Sequence, residues 1–237
     1  MVPEVSIVIP TYNERESILP LVKAITASIA GKWEYELIIV DDNSPDNTGD
    51  LVNSLSNNDP HIKLLQRSGK LGLGSAIMDG FSLADGNYWV MMDADLSHNP
   101  KDLPRLLDAL CEYDIAIGSR YVNGGGVENW PILRRLASRC ASLVAKLLVG
   151  LPFRDVNSGL AAFRAASIKP ILPNLNPHGF KLLLEILVLT IGIRVIEIPV
   201  SLEERRYGKS KFSLSEILAF IGLCFRMRRM RHSHTNP

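Results

Sequence analysis

No stretch of this 237-residue chain reaches the roughly 20 consecutive apolar residues that a membrane-spanning helix needs. The longest uncharged apolar runs, Ile186 to Ile193 and Ile217 to Phe225, are closed off by Glu185 and Arg194 and by Glu216 and Arg226. Cysteine is scarce: Cys111, Cys140 and Cys224 lie far apart, with no C-x-x-C spacing and no flanking histidine cluster. A disulfide framework is thereby excluded, and reduced thiols are expected. Neither charge is in excess, since 26 Lys plus Arg face 25 Asp plus Glu for a net charge of +1. That balance excludes a protein built to coat nucleic acid. Met1 to Pro10 runs straight into a strand-like segment, without the basic stretch and apolar core of a secretory leader. The location expected from these absences is the cytosol or the cytosolic face of a membrane, with peripheral attachment.

What is present is enough apolar material, 46% of residues, to build one large core. The first half alternates short β-branched runs with helical periodicity. Strands are expected at Val5 to Ile9, Glu36 to Val40, Ile62 to Leu65 and Tyr88 to Met92, and helices around Ile18 to Ile25, Leu51 to Leu55, Ser75 to Ala84 and Pro100 to Cys111. Such alternation predicts an α/β fold with a mostly parallel sheet flanked by helices, whose ligands bind beyond the carboxyl ends of the strands. Further on, Ile115 to Ser119 and Arg194 to Val200 have strand character and Lys181 to Leu189 is helical. Two amphipathic helices are expected at Ile132 to Val149 and Leu214 to Phe225. In the first, Leu133, Leu136, Cys140, Leu143 and Leu147 form a stripe edged by Arg134, Arg135, Arg139 and Lys146. A single domain over 1–225 is expected, followed by a flexible basic tail at 226–237.

The polar residues of the first half gather directly after strands. Asp41 and Asp42 follow the second strand, and Asp93-Ala94-Asp95 follows the fourth. Two carboxylates one residue apart on an extended tip can share a hard cation, with a nucleotide diphosphate supplying the remaining oxygens. Gly69 to Gly74 matches neither a P-loop nor a dinucleotide fingerprint, so a turn that starts a helix is expected there. Basic residues dominate the later part of the chain: Arg120, Arg134, Arg135, Lys181, Arg205, Arg206, Lys209 and Lys211. As a set they suit two anionic groups, a diphosphate and a second phosphate.

Taken in order, Pro10-Thr11-Tyr12-Asn13-Glu14, Asp41 to Asp46, Gly72-Leu73-Gly74 and Met92 to His98 resemble the dolichyl-phosphate mannose synthase group of inverting family 2 glycosyltransferases, as do Gly118 to Tyr121, Asp155 to Gly159, Gly179 to Lys181 and Arg205 to Lys211. The resemblance spans residues 4 to 225. It implies the type A, Rossmann-like glycosyltransferase fold, with Mg2+ or Mn2+ as cofactor, GDP-mannose as donor and dolichyl or another polyprenyl phosphate as acceptor. Pro10, Tyr12, Glu14, Val40 and Asp42 are implied to hold the nucleoside. Asp93, Ala94 and Asp95 are implied to meet the diphosphate and metal, with Asp95 the principal metal ligand. Ser97 stands where some relatives carry Gln and is the third candidate on the metal side. Arg120, Arg205 and Lys211 match cations that bind donor or acceptor phosphates, and Arg134, Ser138 and Lys181 are further candidates around the acceptor phosphate.

The implied chemistry follows from charge. A lipid monophosphate with a second pKa near about 6 is largely dianionic at neutral pH, so no carboxylate base is expected. Catalysis then rests on bringing this anion to the anomeric carbon while cations offset the diphosphate, with Asp95, Arg120, Arg205 and Lys211 as the central residues. The amphipathic helices are expected either to lie in a membrane interface or to pack on the sheet. A separate membrane-anchoring subunit is the alternative means of reaching a lipid acceptor. Three other functions compete: a polyprenyl-phosphate glucosyltransferase using a UDP-sugar, a transferase with a soluble acceptor, and a non-catalytic sugar-nucleotide-binding or scaffold protein. Leu96-Ser97-His98-Asn99-Pro100 departs from the Asp-Leu-Gln-Asp of the glucosyl relatives, and the basic segment suits a phosphate acceptor.

Overall fold

The computed structural model describes residues 3–176, 181–190, 192–203 and 214–235. Strands β1 (Val5–Thr11), β2 (Tyr35–Asp41), β3 (Ile62–Gln66), β4 (Tyr88–Met91) and β5 (Ile115–Ser119) alternate with helices α1 (Arg15–Ile29), α2 (Thr48–Asn58), α3 (Leu73–Leu83) and α4 (Leu103–Ala109). There follow β6 (Gly126–Val127), α5 (Ile132–Val149), β7 (Ala161–Arg164), α6 (Ala165–Ile168), α7 (Leu182–Leu189), β8 (Val195–Pro199), β9 (Ser201–Leu202) and α8 (Leu214–Thr235). Seven strands make one sheet in the order β3-β2-β1-β4-β7-β5-β8, and β6 pairs with β9 beside it. All neighbours in the large sheet are parallel except β7, which is antiparallel to both β4 and β5.

Strands β1, β2 and β4 are almost continuously buried because both faces of the sheet are covered there. Val5, Ile7 and Ile9 of β1 join one core cluster with Ile18, Leu21, Ile25 and Ile29 of α1, while Val8 joins the other with residues of α3, α5, α7 and α8. Every strand that runs parallel to β1 ends at the same edge, and the polar residues after β1, β2, β4 and β5 are thereby brought together.

Strand β7 was not legible in the sequence, and it completes that edge. Its antiparallel register pairs Met91 with Ala161, so continuing the pairing by two residues sets Gly159 across from Asp93. Because β7 runs the other way, its beginning, and with it the segment 155–160, lies at the carboxyl edge.

Two other expectations are corrected. The segment expected to be one helix over Pro100 to Cys111 is a 3-10 turn, Pro100–Asp102, followed by α4; the Asn99 side chain accepts from Lys101 N and sets the turn. The segment after 225 is not a free tail, for α8 continues to Thr235. Met227 is buried, and Arg231 Nη1 donates to Val149 O at 2.6 Å, satisfying a carbonyl at the end of α5. Gly150 allows this approach, since a Cβ there would lie 2.3 Å from Arg231 Nη1.

The two amphipathic helices differ in what their apolar faces do. In α8, Phe220, Leu223, Cys224 and Met227 are buried, so this face packs on the protein. In α5, Ser142, Ala145 and Val149 are buried, while Ile132 (74% exposed), Leu136 (53%), Leu143 (55%) and Leu147 (71%) face outward together with Cys140. Among the described residues no helix is long and apolar enough to cross a membrane.

Replacing Met227 by Ala is expected to cost about 2–4 kcal/mol of stability, as for other buried methionines, measured from the urea midpoint at constant slope. A tail free of the fold would leave the midpoint unchanged.

Candidate functional site

The nucleoside candidates stand at the ends of β1 and β2. Asn13 and Asn43 adopt left-handed backbone, with φ of 61° and 56°, which turns the chain sharply out of each strand. Asp42 N donates to Thr11 O, tying the two ends together at 3.0 Å. The Asp42 carboxylate accepts from Arg67 Nη1 at 2.6 Å and from Gly72 N at 3.0 Å. Arg67 is itself buried and also donates to Ser75 Oγ at 2.7 Å, so the loop before α3 is built around this ion pair. The glycine loop is thus a helix-starting turn, with Gly72 at φ 106°. Tyr12 and Pro10 are half-buried, and the Lys70 ammonium lies 3.8 Å from the Tyr12 ring centroid. Glu14 Oε2 accepts from Ser17 Oγ at 2.6 Å. Val40 is different: its side chain is in the core, which leaves only its backbone to face a ligand.

The two acids after β4 are held in different ways. Asp95 is buried, and its Oδ1 accepts from Ser97 N at 3.0 Å and Ser97 Oγ at 2.5 Å. Ser97 therefore orients the carboxylate. Leu96 between them has φ 60°, a strained conformation for a leucine and one that the Asp95–Ser97 turn stabilises. Ala94 is buried like Val40, so its contribution would also come from the backbone. Asp93 is partly open, with His98 Nε2 at 3.8 Å from its Oδ2. A Cβ on Gly159 would sit 2.2 Å from that same oxygen, so glycine is what lets the Asp93 carboxylate occupy its place. Among the described residues no three His, Cys, Asp or Glu side chains form a metal-binding group. Asp93 and Asp95 nonetheless fit a hard divalent cation whose further oxygens come from a diphosphate.

Arg120 follows β5 and is buried against Asp155, 35 residues further along the chain. Its Nε and Nη2 donate to Asp155 Oδ2 and Oδ1 at 2.7 and 2.6 Å, and its backbone N donates to Oδ2 at 2.9 Å. Burial opposes the Arg120 charge, but the hydrogen bonds and charge of Asp155 outweigh it and raise the guanidinium above its usual range. Glu197 Oε1 in turn accepts from Asp155 N and from Ser119 Oγ at 2.9 and 2.7 Å.

A cavity of about 320 Å³ brings together Asp93, Ser97, Arg120, Arg134, Ser138 and Lys181. Its apolar walls come from α3, α5 and α7, including Ile77, Ala141 and Leu183. Ser138 Oγ accepts from Tyr121 Oη at 2.6 Å. Arg205 and Lys211, with Arg206 and Lys209, lie outside the described residues. Of the residues missed, Arg67 and Trp130 had no local motif to mark them. Asp155 and Gly159 stood within a recognised string, but only the fold shows that they serve Arg120 and Asp93.

Residues 6–172 match the family model described as glycosyl transferase family 2. The chain is 41% identical over 231 residues to the dolichol-phosphate mannosyltransferase of Pyrococcus furiosus, an alignment covering 95% of this chain and 64% of that protein. It is 39% identical to the undecaprenyl-phosphate mannosyltransferase of Micrococcus luteus, over 87% of this chain and 86% of the relative. Among solved structures, glucosyl-3-phosphoglycerate synthase from Mycobacterium tuberculosis, in complex with Mn2+, UDP-glucose and phosphoglyceric acid, superposes with a TM-score of 0.67 at 18% identity. The superposition covers 97% of this chain and 79% of that one. The shared architecture is the type A glycosyltransferase fold.

Replacing Asp155 by Ala strands a buried guanidinium and is expected to cost about 3–5 kcal/mol of stability in denaturant titration. The double variant that also replaces Arg120 with Met is expected to recover a large part of that loss, and failure to recover any would show that the pair is not the coupled unit.

Proposed function

Because this chain belongs to glycosyl transferase family 2, we propose that it transfers mannose from GDP-mannose to dolichyl or another polyprenyl monophosphate, inverting the anomeric centre to give the β-linked lipid phosphate mannose. The observation that carries this reading is the cavity where Asp93 meets Arg120, Arg134, Ser138 and Lys181 against apolar walls. It suits an acceptor with a phosphate at one end and hydrocarbon at the other. The names of the archaeal and bacterial relatives support the same substrate class.

In this mechanism Tyr12, Glu14 and Asp42, with the backbone of Pro10 and Val40, receive the nucleoside. Asp93 and Asp95, the latter oriented by Ser97, would hold Mg2+ or Mn2+, which when bound supplies positive charge for the donor diphosphate. Mn2+ in the mycobacterial structure supports that choice of ion. Arg134, Ser138 and Lys181 bind the acceptor phosphate, and Arg120, fixed by Asp155, presents a directed guanidinium to the phosphates between. Arg205 and Lys211 complete the cationic set by resemblance. A lipid phosphate that is already largely dianionic near neutral pH attacks directly, so the protein positions it and offsets repulsion between two anions without removing a proton.

The outward stripe of α5, Ile132, Leu136, Leu143 and Leu147, supports peripheral contact with the membrane that holds such an acceptor. Arg139 and Lys146 on the same helix suit anionic headgroups on the cytosolic face. The packed apolar face of α8 favours a core role for that helix.

The test is incubation of purified protein with labelled GDP-mannose or UDP-glucose and dolichyl or undecaprenyl phosphate, with and without chelator. Metal-dependent, lipid-extractable label from GDP-mannose alone is expected, and label from UDP-glucose alone contradicts the proposal. Gly159→Ala, which displaces the Asp93 carboxylate, is expected to lower kcat/KM for the donor at least about tenfold, a loss of roughly 1.4 kcal/mol or more in transition-state binding. Leu136→Asp with Leu147→Asp is expected to abolish flotation with anionic vesicles while leaving nucleotide binding intact. Unchanged flotation would count against membrane contact through α5.

A further inference from the structure

Trp130 lies in the connection between β6 and α5 and forms part of the cavity wall. Two guanidinium groups meet its indole: Arg134 at 3.9 Å and Arg120 at 5.9 Å from the ring centroid. Both distances fall within the range over which the negative face of an aromatic ring attracts a cation, and tryptophan is the strongest aromatic partner. We infer that Trp130 is a positioning residue for the acceptor phosphate, holding Arg134 beside Arg120 so that both guanidinium groups converge on one phosphate dianion. The inference rests on the acceptor-phosphate reading of the cavity.

The choice of an aromatic partner has a physical reason. Arg120, Arg134 and Lys181 are like charges lining one cavity and repel one another. Arg120 has its Nε and Nη2 engaged by a carboxylate, Asp155. The indole holds Arg134 through its ring face and brings no negative charge of its own to the site. A stacked guanidinium also has its plane set in advance, which lowers the ordering cost when a phosphate arrives. The neighbouring Tyr121 also meets Arg120, with the guanidinium 5.0 Å from its ring centroid and its hydroxyl bonded to Ser138 Oγ on α5.

The protein reports on this site itself. Its other two tryptophans are elsewhere: Trp33 packs edge-on against Tyr88, and Trp89 is fully buried against Phe81. The experiment combines tryptophan emission with steady-state kinetics on wild type, Trp130→Phe and Trp130→Leu, using farnesyl phosphate as a soluble polyprenyl phosphate. Farnesyl phosphate is expected to change the emission of the wild type, and Trp130→Phe is expected to lose that change. Trp130→Leu is expected to raise the KM for farnesyl phosphate about tenfold, the size of a partly desolvated cation–π contact. Its kcat, donor KM and melting temperature should stay close to wild type. Trp130→Phe, which keeps an aromatic face, should retain most of the acceptor affinity. A Trp130→Leu variant with wild-type acceptor KM overturns the inference while leaving the transferase reading intact, as does one that loses donor and acceptor affinity equally. A wild type that transfers mannose to no polyprenyl phosphate overturns the acceptor reading, and this inference with it.

Discussion

The buried carboxylate of Asp155 is the interaction on which the geometry of the site depends. It holds Arg120 by both the guanidinium and the backbone amide, and its own amide is held by Glu197 on β8. Three parts of the chain are thereby fixed to one another, the end of β5, the approach to β7 and the middle of β8, and Tyr121 next to Arg120 is bonded separately to Ser138 on α5. The segment from 155 to 160 must follow from that anchor into an antiparallel strand beside β4. This path is what sets Gly159 against Asp93. An ion pair with no exposed surface on the acid side adds little net stability, but it admits one arrangement only, since moving either partner leaves a charge buried alone.

The near-equal numbers of acids and bases conceal a spatial separation. The candidate acids lie after β2 and β4, and the candidate cations after β5, on α5 and at the start of α7. A parallel sheet provides this because successive strands end at one edge. The acids come early in sequence and the cations late, yet Asp93 lines one cavity with Arg120, Arg134 and Lys181. Each group is also braced by something not itself in contact with ligand in this reading: Asp42 by Arg67, Asp95 by Ser97, Arg120 by Asp155 and Arg134 by Trp130. Chemistry between two anions requires such bracing, because flexible cations would lose orientation each time the phosphates leave.

The parts of this arrangement that sequence made legible were those with local signals. Five parallel strands, their helices and the acidic strand ends follow from periodicity and from turn residues placed directly after apolar runs. Strand β7 escaped because Ala161 to Arg164 is four residues long and alternates nothing. The continuation of α8 past Phe225 was hidden by its density of arginines, which resembles a solvated tail until Met227 and Arg231 are seen to contact the fold. Arg67 carried no signal because its partner, Asp42, lies 25 residues away, and Trp130 none because only the fold shows that it meets both Arg120 and Arg134 at the cavity. Amphipathic periodicity showed that α5 and α8 have apolar faces but not which side they turn to, and the two helices differ on that point.

Charge-offset direct displacement leaves a mark on the product. In the proposed mechanism no protein nucleophile lies in the path, so the acceptor phosphate would attack opposite the leaving diphosphate and invert the anomeric centre. The one-bond carbon–hydrogen coupling at the anomeric carbon of the purified lipid-linked mannose, read by NMR with a 13C-labelled donor, distinguishes the two outcomes. The account predicts the coupling of a β-mannosyl phosphate. An α-linked product would contradict it, because a single displacement opposite the leaving group can only invert the α-linked donor.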